Sequence, residues 1–365
     1  MKFLKIFPVF VSLALLIASC SLQQDTQNQQ SRQISWGDLQ ITPRSGNNWC
    51  AEIRPEEIDD WENIKEDFTQ GLAVGFVPEK LSIAYKMGYE TYWVNPGNDL
   101  SFNWLFWYPH ENQEPATLRL FLLLDEHQLI NALPQPGAYN DIVMEGGDDV
   151  LVNVKIPPLS SGIHDLIAIG VPYPQNDPDV YGITIVVYRR VTLIVEPTSD
   201  PFRSLDFKLL PAEGLIKRND PALALELTLQ DGGINVWNWP NSWLDVKPNA
   251  PIDFFALMGH LDVVNADAPD LEDLKASFSA LLLFKDYQQI EVAPSKTAIY
   301  SRTDSDTAYS RIPISIPPLG IGKHSLLALR IDTPGVPMCI LQGDPRNRIL
   351  PNGVHGKLVG INVAP

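Results

Sequence analysis

The sequence has few cysteines, few cationic side chains and only one long apolar run. Three cysteines in 365 residues leave room for a single disulfide bridge. Lysine and arginine number 27 against 44 aspartates and glutamates, which gives a formal net charge of −17. We therefore expect no nucleic-acid partner, because such a binder needs a basic face that neutralises phosphates.

The composition favours a folded protein built from short strands. Apolar residues make up 45% of the chain and charged residues 19%, which is enough to bury real cores and excludes a wholly disordered chain. The chain contains 31 prolines. Proline disfavours long helices and is typical of short strands joined by turns.

Common motifs of catalysis and metal binding are absent from the sequence. It contains no metalloprotease helix motif, no Gly-x-Ser-x-Gly elbow and no Cys-x-x-Cys pair. The six histidines are scattered and show no ligand spacing. The many acidic residues are explained by a solvated surface. We therefore predict a protein that is not an enzyme and that uses no cofactor or metal.

The one long apolar run lies near the N-terminus. Lys2 and Lys5 precede an apolar run at 6–17, which has the length of a signal-peptide core and is too short to span a hydrocarbon layer of about 30 Å. The run ends in Ile17-Ala18-Ser19-Cys20, which resembles the lipobox of bacterial lipoproteins. This resemblance implies a signal peptide at 1–19, lipidation of Cys20 and a membrane as partner. The alternative is an ordinary secretory signal followed by a chance cysteine.

The segment after the lipobox is predicted to be a tether. Residues 20–35 are rich in glutamine and have no face to bury, so we expect a flexible chain there. Ser21 resembles the outer-membrane sorting pattern of Gram-negative lipoproteins. The predicted location is the extracytoplasmic side of the bacterial cell envelope, at the outer membrane if the source is Gram-negative. Cys50 and Cys339 then either form a disulfide or remain two buried free thiols.

The body of the chain contains an internal repeat. Residues 121–168 align with 281–328 without a gap, at an offset of 160. Upstream of these segments the offset becomes 152. The strongest matching block is Ile-Pro-Pro-Leu, which occurs at Ile156 and again at Ile316. We therefore predict two copies, at 88–197 and 242–365.

The spacing of apolar residues inside the copies is typical of β-strands. Residues 152–156 and 312–316 alternate between apolar and other side chains, and 120–124 and 280–284 are short apolar runs typical of sandwich-core strands. About seven short strands for roughly 110 residues indicate an antiparallel sandwich. The predicted fold class is all-β, with two tandem immunoglobulin-like antiparallel β-sandwiches, an N-terminal extension and a connecting β-hairpin.

A Leu-x-x-Gly-x-His motif occurs once in each copy. It places Gly162 before His164 in the first copy and Gly322 before His324 in the second. It resembles the tyrosine corner of immunoglobulin-like sandwiches, with histidine where tyrosine is usual. The resemblance implies that the histidine bonds back to upstream backbone, and we expect the glycine to adopt a positive φ.

The two copies also resemble bacterial immunoglobulin-like repeats of the cell-adhesion-related type. In those repeats a Val-x-Pro-Gly start leads a strand, and here it reads Val94-Asn95-Pro96-Gly97. This resemblance concerns the fold, because the architecture hosts many functions.

Two further segments lie outside the copies. Residues 36–87 are predicted to have mixed structure, with one short helix at 54–68. Residues 198–241 connect the copies and are too long for an empty linker. Strict alternation at 223–229, followed by a turn and a second apolar stretch at 234–239, predicts a hairpin that joins the second sandwich or bridges the two.

A tryptophan cluster at the entrance to the second copy leaves two functions open. Trp237, Trp239 and Trp243 either pack between domains or stack on sugars. The first function is a non-catalytic binding or structural module on the membrane, with a protein or glycan partner in the envelope. The alternative is a carbohydrate-binding or carbohydrate-processing surface lipoprotein that uses its aromatic clusters.

Overall fold

The computed structural model describes residues 31–33, 73–78, 91–94, 97, 100–107, 115–145, 149–172, 186–195, 202–209, 214–215, 225–229, 244–259, 277–303, 308–338, 341 and 353–365. The 21 elements defined within these ranges are all strands, and they form four sheets. Within the same ranges, no helix is long and apolar enough to cross a bilayer. The strand β1 (Ser31–Gln33) lies within the segment predicted to be a flexible tether and joins a sheet of the second sandwich.

The first sandwich follows β1 in the chain. Its strands are β2 (Ala73–Pro78), β3 (Thr91–Val94), β4 (Leu100–Trp107), β5 (Ala116–Leu124), β6 (His127–Gln128), β7 (Asn140–Met144), β8 (Asp149–Ile156), β9 (Gly162–Pro172) and β10 (Val187–Val195). A three-stranded sheet in the order β2-β4-β8 faces a sheet in the order β3-β10-β9-β5, to which β6 and β7 add at β5.

The second sandwich repeats this arrangement. Its strands are β11 (Asp206–Leu209), β12 (Gly214–Leu215), β13 (Leu225–Leu229), β14 (Leu244–Val246), β15 (Ile252–Gly259), β16 (Ser277–Lys285), β17 (Gln288–Ile290), β18 (Ala298–Thr303), β19 (Ala308–Ile316), β20 (Gly322–Asp332) and β21 (Val354–Val363). One sheet has the order β12-β19-β15-β13. The other has the order β1-β11-β18-β16-β20-β21-β14, with β17 pairing β16. The protein is therefore all-β, with two tandem immunoglobulin-like sandwiches.

Strand registers define which residues of the two sandwiches correspond. Leu100 pairs with Ile156 in the first sandwich, and Ile252 pairs with Ile316 in the second. These pairs reproduce the offsets of 152 and 160. A parallel pairing with the last strand also recurs, since β3 pairs with β10 in the first sandwich and β14 pairs with β21 in the second.

The gapless alignment is wrong by one residue in β5 and β16. Leu122 lies opposite Ala168, and Leu283 lies opposite Ala328, so the counterpart of Leu122 is Leu283 and not Leu282. Leu122 and Leu283 each face the core of their own sandwich, whereas Leu282 faces the other sandwich. A shift of one residue turns every side chain of a strand to the opposite face, so the structural offset here is 161.

Each sandwich takes an edge strand of its smaller sheet from upstream of the predicted bounds. Strand β2 pairs along its whole length with β4, so the first sandwich extends into the segment predicted at 36–87. Strand β13 lies in the predicted connecting segment and pairs with β15 of the second sandwich. The other half of the predicted hairpin, at 234–239, and the predicted helix at 54–68 lie outside the described residues.

Three apolar layers hold the four sheets together. One layer lies inside each sandwich, and the third lies between the two larger sheets, where residues from β5 and β9 meet residues from β16 and β20. These four strands are buried on both faces, which explains why 120–123 and 280–284 are continuous apolar runs with no exposed surface. The buried polar and charged side chains of the candidate site lie around this third layer.

Candidate functional site

Six of the predicted site residues lie outside the described residues: Cys20, Cys50, Trp237, Trp239, Trp243 and Cys339. The two predicted corners are described. Gly162 has a φ of 143° and Gly322 a φ of 138°, in the region that favours glycine. Each glycine begins the strand, β9 or β20, that carries the corner histidine.

The corner histidines bond to backbone four residues upstream. His164 Nε2 lies 2.9 Å from the carbonyl oxygen of Ser160, and His324 Nε2 lies 2.9 Å from that of Gly320. A carbonyl oxygen only accepts, so Nε2 donates in both cases. This bond ties the loop before each strand to the start of the strand.

Each corner also contains an aspartate that sequence reasoning missed. Asp125 Oδ2 lies 2.7 Å from His164 Nδ1, and Asp286 Oδ2 lies 2.9 Å from His324 Nδ1. The other oxygen of Asp125 accepts from the backbone N–H of Asp165 at 3.0 Å. Both aspartates have a positive φ, 51° and 48°, at the first turn position of a β-hairpin. The available signal was an aspartate close to the end of each apolar run: Asp125 follows the first run directly, and Asp286 follows the second after one lysine.

Electrostatics favour the charged form of the first pair. Burial opposes the imidazolium, but the hydrogen bond and charge of Asp125 outweigh it and raise the pKa of His164. Burial likewise favours a neutral Asp125, but His164 and Arg203 hold the pKa of this carboxyl below its ordinary value. Both ring nitrogens of His164 are occupied, so this pair is arranged to hold structure and not to move a proton.

Glu126, the next residue of the first hairpin, is fully buried between the sandwiches. Both of its oxygens lie 2.5 Å from Nη2 of Arg203, and Oε2 accepts from the Tyr300 hydroxyl at 2.9 Å. Arg203 Nη1 donates to Asp125 at 2.5 Å, which joins this group to the first corner. Burial raises the pKa of Glu126 although Arg203 opposes the shift. Burial and the adjacent Glu126 also raise the pKa of Tyr300.

A second buried ion pair lies on the adjacent strands of the same sheet. Arg190 Nη2 donates to Asp165 at 2.9 Å, and these side chains are 1% and 0% exposed. The same guanidinium donates to the carbonyl oxygens of Asp332 at 2.7 Å and Thr333 at 2.9 Å in the second sandwich. Arg190 therefore joins the two sandwiches through backbone acceptors.

The segment at 332–338 of the second sandwich is buried against the first. Gly335 N donates to Asp165 at 2.9 Å, and Met338 N donates to the hydroxyl of Thr192 at 2.9 Å. Gly335 has a φ of 75°, and a Cβ there would meet backbone and side-chain atoms of Arg203. The turn therefore requires glycine on both conformational and steric grounds.

Asp332 contacts an arginine and a histidine where this segment begins. Arg330 Nε donates to it at 2.7 Å, and His355 Nε2 lies 2.9 Å away. Burial raises the pKa of a carboxyl, but Arg330 and His355 outweigh burial and hold the pKa of Asp332 below its ordinary value.

Two corresponding glutamines exchange hydrogen bonds across the interface. Gln128 N donates to the Gln289 side chain at 2.7 Å, and Gln289 N donates to the Gln128 side chain at 2.8 Å. Their amide groups donate to the carbonyl oxygens of Tyr287 at 2.8 Å and Glu126 at 2.7 Å. All partners are related by the offset of 161, so the two sandwiches meet about a local pseudo-twofold axis.

Within the described ranges, no group of three or more His, Cys, Asp or Glu is placed to hold a metal ion. The buried charges described above instead contact one another and the backbone. A buried ion pair adds little net stability, but removing one partner costs about 3–5 kcal/mol. This chemistry favours one relative placement of the two sandwiches and penalises others.

Solved structures match part of the chain, but no family model and no curated protein matches it. The CARDB domain of a Pyrococcus furiosus protein, solved in complex with di-metal ions, is similar to 34% of this chain. The match covers 94% of that domain, at 9% identity and a TM-score of 0.21. The metal ions belong to that domain, and the similarity carries no argument about function.

Proposed function

We propose that this chain is a lipid-anchored protein of the bacterial cell envelope whose two sandwiches act as one rigid, non-catalytic binding or structural module. The apolar layer between the two larger sheets supports a rigid connection between the sandwiches. Phe121, Ile167, Leu282 and Leu329 of this layer have no exposed surface. An interface of this kind resembles a domain core and restrains relative motion.

The buried ions add specificity to this apolar contact. Arg190 and Arg203 each donate to acceptors of the first sandwich, and Arg190 also reaches backbone of the second. A rotation of one sandwich would separate Arg190 from its backbone acceptors in the second sandwich. It would also separate Arg203 from Asp125 and Glu126, at a cost of several kcal/mol. A rigid pair of sandwiches suits a module that presents a surface at a fixed orientation.

Rigidity is tested by calorimetry of the full chain. We expect one unfolding transition that includes both sandwiches, with equal calorimetric and van't Hoff enthalpies. Two separated transitions would contradict a single rigid module.

The anchor is supported by the lipobox and the polar tether. Several acyl chains, at about 0.8 kcal/mol per buried CH₂, would hold the module on a membrane. The net charge of −17 would keep the folded part away from anionic lipid surfaces. Anchor and module are separate parts of the proposal and require separate tests.

Acyl labelling tests the anchor. We expect labelled palmitate to be incorporated into the wild-type chain in bacteria and the protein to fractionate with membranes. The Cys20→Ser variant should lose both properties. The matched Cys50→Ser variant removes a cysteine outside the lipobox and should retain both. Labelling of Cys20→Ser would exclude the assignment.

A further inference from the structure

The same sheet edge differs between the two sandwiches. Strand β18 of the second sandwich is flanked by β11, which runs parallel to it and pairs Lys208 with Ser301 and Leu209 with Arg302. Strand β1 then adds antiparallel to β11. This edge has therefore accepted an extended segment from another part of the chain.

The counterpart of β18 in the first sandwich is β7. Registers against β5 and β16 relate the two strands by an offset of 159, so Ile142 and Val143 correspond to Ser301 and Arg302. Among the described residues, β7 pairs only with β5. Val143 is 65% exposed, which is unusual for a valine in a sheet. An open edge of this kind presents backbone donors and acceptors to a further strand.

The two edges differ in the side chains that an added strand would meet. In the second sandwich, Phe207 of β11 packs against Phe278 at 5.3 Å and Tyr300 at 5.6 Å between ring centroids. The counterparts of those two aromatic residues are Thr117 and Asp141. A phenyl ring would find no aromatic partner at these positions.

The carboxylate of Asp141 is available to a cationic side chain of a strand added beside β7. Its oxygens accept from Arg119 at 2.7 Å each, and its side chain remains 34% exposed. Each carboxylate oxygen keeps a second acceptor site after one hydrogen bond. The chain as a whole carries a net charge of −17, which favours the approach of a basic segment.

We propose that the free edge of β7 binds an extended basic segment of a partner polypeptide, added parallel to β7 with a lysine or arginine over Thr117 and Asp141. We infer the parallel direction because β11 pairs parallel with β18 at the corresponding edge of the second sandwich. A second copy of this chain fits poorly, because antiparallel self-pairing centred on Val143 would place Asp141 opposite Glu145. This inference rests on the proposed function and identifies the binding surface of the module.

The test uses a labelled peptide that copies residues 204–209 with the Phe207→Arg replacement, and the full chain purified in detergent. We expect saturable binding by fluorescence anisotropy, about tenfold tighter than that of the unaltered peptide, because the charged residue meets Asp141. A photoreactive group at the peptide N-terminus should crosslink near Ala138, which lies opposite residue 204 in the parallel register of β11 and β18.

Two matched variants separate edge binding from general charge attraction. Val143→Lys places a cation on the open edge and should weaken peptide binding about tenfold. Ile321→Lys adds the same charge at another exposed apolar residue, 67% accessible at a turn, and should leave binding unchanged. Equal binding to both variants would overturn the proposal, as would the absence of saturable binding or a preference for the unaltered peptide.

Failure of the peptide test differs from failure of the proposed function. Loss of peptide binding, with intact acyl labelling and a single unfolding transition, overturns the assignment of β7 alone. A crosslinked dimer of the chain through β7, in place of a peptide adduct, would identify a second copy as the occupant and overturn the basic partner.

Discussion

The two sandwiches share one corner but use it differently. In both, a histidine contacts an upstream carbonyl oxygen and a hairpin aspartate. In the first, Asp125 also accepts from Arg203, and the next residue is the buried Glu126. In the second, the carboxylate of Asp286 is 46% exposed and the next residue is Tyr287. The corner aspartate is therefore tied to the buried ions of the interface in the first copy and stays partly exposed in the second, where Tyr287 is buried in the apolar layer between the sandwiches.

This comparison shows that local structure and tertiary role are separable. A hairpin turn, a glycine and a histidine are sufficient for the corner in either copy. The ionic connection of the corner aspartate to the interface depends on Arg203, which lies in the segment between the sandwiches and has no counterpart at the second corner among the described contacts. Variants test this difference, and the expected loss of stability decreases from Arg190→Met to His164→Gln.

The largest effect is expected for Arg190→Met. This change removes the cation that is hydrogen-bonded to the fully buried Asp165 and leaves only Arg203, at 3.9 Å. It also removes donors from two carbonyl oxygens of the second sandwich. We expect the free energy of unfolding to fall by about 3–5 kcal/mol in urea titrations. The exposed Lys155→Met control should remain within about 0.5 kcal/mol of wild type. A loss below about 1 kcal/mol for Arg190→Met would show that the pair does not couple the sandwiches.

Gly335→Ala should have the next largest effect. Its added Cβ would lie 3.1 Å from the Cβ of Arg203 and 3.3 Å from the Arg203 carbonyl oxygen, at a positive φ. We expect a loss of about 2–3 kcal/mol from strain and displacement of the segment, measured by thermal unfolding. Gly320→Ala is the control, because its Cβ would meet nothing within 4 Å. Equal stability of both variants would contradict the steric argument.

Gln128→Ala and Gln289→Ala test the pseudo-twofold axis. Each removes side-chain bonds to the opposite sandwich, so each should cost about 1–2 kcal/mol. The double variant should cost less than the sum, because the two side chains share one network. Strict additivity in chemical denaturation would indicate that the two glutamines act independently.

The smallest and most pH-dependent effect is expected for His164→Gln. Asp125 raises the folded-state pKa of His164 above its ordinary value. The charged pair therefore stabilises the fold below about pH 6.5, the pKa of a free histidine, and this contribution disappears as pH rises through the raised pKa. Wild type should exceed the variant by about 1 kcal/mol at pH 5.5, with a smaller difference at pH 9. A difference that grows with pH would reverse the assigned sign.

Much of the fold could be predicted from short-range pattern. Alternation at 152–156 and 312–316 predicts strands whose one face is buried, and the prolines and glycines that follow mark their ends. The corner residues could be selected because the motif occurs twice. The corner aspartates could not, since each lies about 40 residues from its histidine and aspartate is also common in ordinary turns.

The interface could not be predicted for a different reason. A run such as 120–123 shows that both faces of the strand are buried, but not what covers each face. The chain has 44 acidic residues, most of which suit a solvated surface, and nothing in the sequence distinguishes Glu126 or Asp165 from the others. The one-residue shift between β5 and β16 could not be predicted either, because neighbouring leucines match equally well in either alignment.

Local sequence is sufficient to specify two sets of strands, their turns and the glycine and histidine of each corner, because these depend on side chains only a few residues apart. Long-range packing selects which faces of those strands meet, which acids lose contact with water and which edge is unpaired among the described residues. Those outcomes depend on contacts between residues about 40 to 170 positions apart, for which the free energy of burial, and not local conformational preference, selects the partner.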